Sequence, residues 1–321
     1  MRAIEVSQFG GPEVLQLVEV PDVVATPGLL RIDVTAAGVN FADTHRTEDS
    51  YLAKQSLPFI PGGEVVGRTE DGRRVLGFTA TANGGYAEQA LIAESLALPV
   101  PDSVSDGAAL SLLVQGLTAW HLLRTLGHMA SGETVVVNAA AGGVGSLAVQ
   151  LSKLWGAGRV IGLASSQAKR DLVLSLGADV ALDSNETELA AAVRAANDDK
   201  GVDLVLEMAG GKAGDELLAA TGTFGRFVIF GMASREPMQL VAPGALMRGS
   251  RTVSGFWLVD CMSPERFADM VVEPLRAMLD LVATGALRPI ASDAFPLANA
   301  ADAHRALLAR TTTGKVILTT S

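Results

Sequence analysis

The chain has 321 residues, 49% of them apolar and 19% charged, which is long enough for two domains and too apolar for disorder. Its net charge of −10 argues against nucleic acid or an anionic membrane as partner, because phosphate binding relies on a broad Lys/Arg surface. One cysteine, Cys261, excludes an intrachain disulfide framework and a multi-cysteine zinc lobe.

The opening MRAIEVSQFGGPEVL lacks the basic-then-apolar order of a secretion signal, and no apolar stretch reads as a membrane span. A cytoplasmic location is expected. Residues 1 to about 115 then show β-rich runs at Met1–Val6, Leu15–Val20, Leu29–Ala36, Arg73–Phe78 and Gly85–Leu91. Turn signals such as Gly10-Gly11-Pro12 and Pro27-Gly28 separate them. Runs this closely spaced predict a compact antiparallel barrel, which Pro99 and Pro101 close.

The pattern changes after Ser105. A proline-free helix is expected over Gly107–Leu126, followed by alternation: strand Thr134–Asn138, helix Gly143–Leu154, strand Arg159–Ala164, helix Gln167–Leu176. Val180–Leu182, Val202–Glu207, Arg226–Phe230 and Thr252–Gly255 supply further strands. Such alternation predicts a parallel, doubly wound sheet. Helices over Pro264–Thr284 and Ala298–Ala309 and a strand over Lys315–Thr319 end the chain. The fold class is therefore α/β. A barrel domain (1–115 and 258–321) is interrupted by an inserted nucleotide-binding domain (116–257).

The strongest motif is VVVNAAAGGVG at Val135–Gly145, an apolar strand running through a small-residue turn into a helix. Ala140, Gly142 and Gly145 take its three small positions. The second lets backbone approach a pyrophosphate, and the third lets the helix pack closely on the strand. Helix N–H groups at Gly143, Val144 and Gly145 then face the negative charge. About 20 residues beyond the loop, NAD-specific sites carry an acid. Here that place reads Leu163-Ala164-Ser165-Ser166, with Lys169 and Arg170 one turn later. Hydroxyls and cations with no nearby carboxylate suit a 2′-phosphate, so NADP(H) is the expected cofactor. The alternatives are a ligand-free turn and a solvated helix face.

Seven stretches stand in order along the chain: the opening MRAIEVSQFGGPEVL, Ala37–Asp43, Pro58–Gly63, Gly116–Ala119, AAAGGVG at 139–145, Gly177–Asp179 and Gly314–Val316. Together they resemble the medium-chain dehydrogenase/reductase family, and within it the zinc-independent quinone oxidoreductases. The resemblance implies a GroES-like β-barrel catalytic domain and a Rossmann domain. It also implies a homodimer joined through the Rossmann sheet edges. Asn40 and Gly63 stand where the alcohol dehydrogenase branch has a cysteine and a histidine on catalytic zinc, so no metal is expected.

In similar reductases, an asparagine at the position of Asn40 lies beside the nicotinamide and substrate. Tyr51, eleven residues on, would donate a proton or orient a carbonyl. His45 stands on the same expected loop where quinone oxidoreductases often carry a tyrosine, and it is the other candidate donor. Thr118 and Arg310 match cofactor contacts, while Phe256 and Trp257 match a pocket segment. Cys261 reads as a buried hydrophobe. The expected activity is metal-free hydride transfer from NADPH to a quinone or an α,β-unsaturated carbonyl. Reduction of an enoyl thioester is the alternative within the family, and a non-catalytic NADPH-binding protein, structural or sensory, is the alternative outside it.

Overall fold

Short alternating runs build one half of the molecule and continuous apolar strands the other. The computed structural model describes residues 1–239, 242–263 and 265–320. It falls into two units, residues 1–114 with 275–321 and residues 115–274.

The first unit opens with β1 (Arg2–Glu5) and β2 (Gln16–Glu19), an antiparallel pair. A curled sheet follows from β3 (Leu29–Val39), β4 (Glu64–Thr69), β5 (Arg74–Phe78), β6 (Gln89–Ala93) and β7 (Leu98–Pro99). β3 is long enough to pair with β6 along its first half and β4 along its second, and a register shift between Val34 and Ala36 bends it. The sequence does not announce β4, because Glu64 and Gly67 interrupt its apolar run. Gly67 is needed there: a Cβ would overlap the Asp33 carbonyl oxygen across the pair. The strand expected from Gly85 begins only at Gln89, since residues 86 and 87 turn away to meet β1, where Ile4 N donates to Tyr86 O.

The second unit holds β8 (Thr134–Val137), β9 (Arg159–Ala164), β10 (Val180–Asp183), β11 (Val202–Glu207), β12 (Thr221–Ile229) and β13 (Thr252–Gly255). All five pairings are parallel, in the order β10-β9-β8-β11-β12-β13. That is the doubly wound order of a dinucleotide-binding sheet, whose switch point lies between β8 and β11. Val136, Ile161, Val205 and Phe227 are fully buried in its core. The helical run before β8 follows Ser105, whose Oγ accepts Ala108 N, but widens to i→i+5 turns at Leu112–Gly116 and Leu122–Leu126.

The sequence suggests a return to the barrel at residue 258, whereas residues 258–274 fall in the second unit. There Met270 O accepts a hydrogen bond from His121 Nε2 at 2.7 Å. Of the helix expected over 264–284, Pro264 lies outside the described residues; helical turns run over Ala268–Val272 and Glu273–Ala283. The first unit is then completed by β14 (Ala291–Pro296), also unannounced by the sequence, and β15 (Lys315–Thr319), which pairs antiparallel with the end of β3. No helix among the described residues is long and apolar enough to cross a membrane.

Candidate active site and cofactor loop

In the second unit, β8 ends at Val137, Asn138 follows it, and the helix Gly143–Leu154 starts after Gly142, its N-cap. Between them Ala139 adopts φ +53°, a left-handed conformation uncommon for a side chain, held by Gly142 N donating to its carbonyl at 2.9 Å. A Cβ on Gly145 would overlap that same carbonyl oxygen, so the third small position lets the helix lie against the strand. Among the described residues no side chain caps the helix, and its first turn leaves the N–H groups of Gly143, Val144 and Gly145 without an intrahelical acceptor. Ala140 is held by its N–H to Leu163 O at 2.9 Å. Thr118 is buried on the neighbouring helical run, and Gln115 packs where a Cβ on Gly143 would stand.

The loop is anchored from below by residues that sequence reading does not single out. Asn138 Oδ1 accepts Ala139 N at 2.8 Å, and Asn138 Nδ2 donates to Glu207 Oε2 at 2.8 Å. Glu207 closes β11, is fully buried, and takes Ala209 N (2.5 Å) and Gly210 N (2.8 Å) on its other oxygen. Burial pushes its carboxyl above the usual range, against the pull of these hydrogen bonds.

At the end of β9, Ser165 and Ser166 are exposed, and Ser166 Oγ caps the next helix by accepting Lys169 N. The expectation of no nearby carboxylate is corrected here. Asp183, the last residue of β10, stands beside Ala164 and pairs with Arg170 Nη1 at 2.9 Å. Asn185 N–H, with Arg170 in support, holds the Asp183 carboxyl below the usual range. Arg170 also donates to Ala164 O and Gln167 Oε1, so its guanidinium is engaged from several sides. The carboxylate is hidden from sequence reading because it arrives from the adjacent strand. Phe256 is half-buried, its ring 5.6 Å from that of His121, and Trp257 precedes the turn Leu258–Cys261. Cys261 is buried, which raises its thiol to about 11.

In the first unit, the expected loop carrying Asn40, His45 and Tyr51 is in part a helix, Phe41–Thr47. Asn40 caps it and Asp43 returns a carboxylate to Asn40 N at 2.9 Å, a reciprocal arrangement that the sequence N-x-x-D allows. The Asn40 amide is fixed at both ends: Nδ2 donates to Glu64 Oε1 (2.8 Å), and Oδ1 accepts Lys315 Nζ (2.9 Å). Glu64 and Lys315 form a fully buried ion pair, and the ammonium's third acceptor is Val39 O. Three donors meet three acceptors, which makes a buried pair tolerable.

His45 lies within the helix, its Nδ1 2.9 Å from Ser50 Oγ and its ring tilted on Phe41. Tyr51 follows the helix, its ring 5.2 Å below the Arg46 guanidinium carbon. Behind them Tyr86 Oη, fully buried, donates to Asp43 Oδ2 (3.2 Å) and lies 3.1 Å from His304 Nε2. Burial raises the Tyr86 phenol well above 10 and lowers His304 to about 4. Arg310 sits just past the helix Ala300–Leu308 with φ +56°. Gly63 lies near the Ala82 carbonyl. Among the described residues no group of three His, Cys, Asp or Glu side chains is placed to hold a metal.

A family described as zinc-binding dehydrogenase matches residues 143–275. Quinone oxidoreductase of Rattus norvegicus is 32% identical over 327 residues, covering 96% of this chain and 94% of its own. The quinone oxidoreductase of Thermus thermophilus, solved also in complex with NADPH, is 37% identical, with TM-score 0.88 and coverage of 99% and 100%. That of Escherichia coli, complexed with NADPH, is 28% identical, with TM-score 0.91 and the same coverage.

Proposed function

This chain belongs to the quinone oxidoreductases of the medium-chain dehydrogenase/reductase family, and on that basis we propose that it is an NADPH-dependent reductase of quinones or α,β-unsaturated carbonyls, working without metal. The observation that carries the reading is the Ala139–Gly145 loop. Its uncapped helix N-terminus and the glycine contact at 145 fit a pyrophosphate. When bound, the cofactor supplies a hydride.

The residues at the family's metal position do not fit zinc. Gly63 has no ligand atom, and Asn40 Oδ1 already faces the Lys315 ammonium at 2.9 Å, a cation that would repel a second one. The zinc-binding family match covers 143–275 and so omits both positions. Elemental analysis of purified protein is expected to find no stoichiometric zinc, and chelation should leave turnover intact. One tightly held zinc per chain would reverse this part of the proposal.

In the catalytic part, the fixed Asn40 amide presents a rigid polar edge, and Tyr51 or His45 supplies the hydrogen bond or proton for the oxygen that gains charge. Phe256 and Trp257 are assigned to the acceptor pocket, and Thr118 and Arg310 to the cofactor. Around the 2′-phosphate we place Ser165, Ser166, Lys169 and Arg170, the last also paired with Asp183. One charge-assisted contact gives roughly 10- to 150-fold preference for NADPH over NADH.

Lys169→Ala should remove most of that preference and leave NADH binding nearly unchanged, as read by titration of cofactor fluorescence. Loss of NADPH absorbance with a simple quinone, an enone and an enoyl thioester in parallel identifies the acceptor class. Equal affinity of the wild type for both cofactors would sink the NADP assignment. Tight NADPH binding with no turnover on any acceptor would favour a structural or sensory role.

A further inference from the structure

We infer that Glu207 and Asn138 are positioning residues for the cofactor, setting the phosphate loop through the polarity of one buried hydrogen-bonded pair; this rests on the reading of that loop as an NADPH site. The pair sits at the switch point of the sheet, where β8 and β11 are neighbours. Neither side chain is available to touch a ligand directly, being 0% and 4% exposed.

Donor and acceptor directions fix the pair. Ala209 N and Gly210 N are both donors, so Glu207 Oε1 must accept. The other oxygen, as a carboxylate, can only accept as well, and it therefore selects the NH₂ end of the Asn138 amide. That choice leaves Asn138 Oδ1 facing the next residue, where it accepts Ala139 N. Ala139 is the residue held at positive φ, and its carbonyl in turn receives Gly142 N and abuts Gly145. A charge at the end of β11 thus fixes an amide orientation, and the amide holds the first left-handed residue of the loop.

Glu207→Gln keeps size and shape but reverses one end. Its carbonyl must still face Ala209 and Gly210, so its NH₂ meets the Asn138 NH₂. Asn138 then has to turn over, which presents a donor to Ala139 N–H, or the loop has to shift. Adding Asn138→Asp restores the pattern with polarity exchanged: the new carboxylate accepts from both the introduced amide NH₂ at position 207 and Ala139 N–H. Asn138→Asp alone brings two carboxylates together.

The test is NADPH binding to the full chain, read by fluorescence titration, with thermal melting beside it. E207Q should bind NADPH about tenfold more weakly, the scale of one mispaired buried donor. The double variant N138D/E207Q should recover to within about threefold of wild type, with N138D alone no better than E207Q. Rescue by reversing the polarity is an outcome that a role in packing alone would not produce. Wild-type affinity in E207Q, or a double variant no better than E207Q, overturns the inference while NADPH binding by wild type stands. A wild type that binds no NADPH overturns both. Should E207Q fail to fold, a folded, NADPH-binding double variant supports the pairing and an equally unfolded one overturns it.

Discussion

At the scale of single residues, one buried pair of the first unit contributes to how stability responds to pH. His304 is fully buried with Nε2 against Tyr86 Oη, while its buried Nδ1 has no hydrogen-bond partner among the described residues. Since Tyr86 donates to Asp43, the consistent arrangement has Nε2–H donating to the phenol oxygen and a bare Nδ1. Charging the ring would add a proton at Nδ1 that no described residue receives, and burial lowers His304 from 6.5 to about 4. The unfolded chain takes up this proton below pH 6.5 and the folded one only near 4. Stability from this group is therefore complete above 6.5 and is lost as pH falls between those values, by about 3 kcal/mol in all. His304→Gln keeps a donor for Tyr86 and cannot titrate. Urea unfolding from about pH 7 to about pH 4 should show a shallower loss of stability in the variant than in wild type. Parallel slopes would show that His304 does not hold its neutral form. Such residues are hard to foresee from sequence: Tyr86 and His304 are 218 positions apart, and Glu64 and Lys315 251. Their pairing exists only once the sheet and helices have closed.

At the scale of elements, legibility follows the range of the forces involved. Helix Gly143–Leu154 and strands β9, β11, β13 and β15 lie within the residues expected for them, because each has a continuous apolar or amphipathic run ended by Gly or a polar residue. The Ala139–Gly145 loop is legible for the same reason, its spacing and turn being local. β4 and β14 escape sequence reading: a buried Glu64 and a Gly67 chosen for close approach look like loop residues until Lys315 and β3 are in place. The helix Phe41–Thr47 is too short for periodicity to declare, and only its Asn40–Asp43 cap marks it. Asp183 is invisible as a neighbour of Ser165 because strand register, not chain distance, sets it beside Ala164. The turn and helix of the Val135–Gly145 motif are thus a property of sequence, and the charges beside and beneath it are a property of the sheet.

At the scale of the whole molecule, the open edge of the parallel sheet needs a cover. β13 pairs with β12 on one side and ends the strand order on the other. Ser254 and Phe256 point their N–H groups toward β12, as the bond from Phe256 N to Ile229 O at 2.8 Å fixes, so by the alternation of a strand those of Val253 and Gly255 point outward. Thr252 and Gly255 are exposed, and Met247, on the helix leading into β13, is 79% exposed. An open strand beside the exposed Met247 side chain is a template for a second copy, related by a two-fold axis that sets like residues against each other. The expected state is a homodimer through this edge. Light scattering at micromolar concentration should give twice the chain mass. Val253→Pro removes an outward N–H without touching the bonds to β12, a substitution that edge strands tolerate. The variant should shift to the monomer mass while still binding NADPH through the distant loop. A monomeric wild type would overturn the dimer, and a Val253→Pro variant that remains dimeric would place its contact elsewhere.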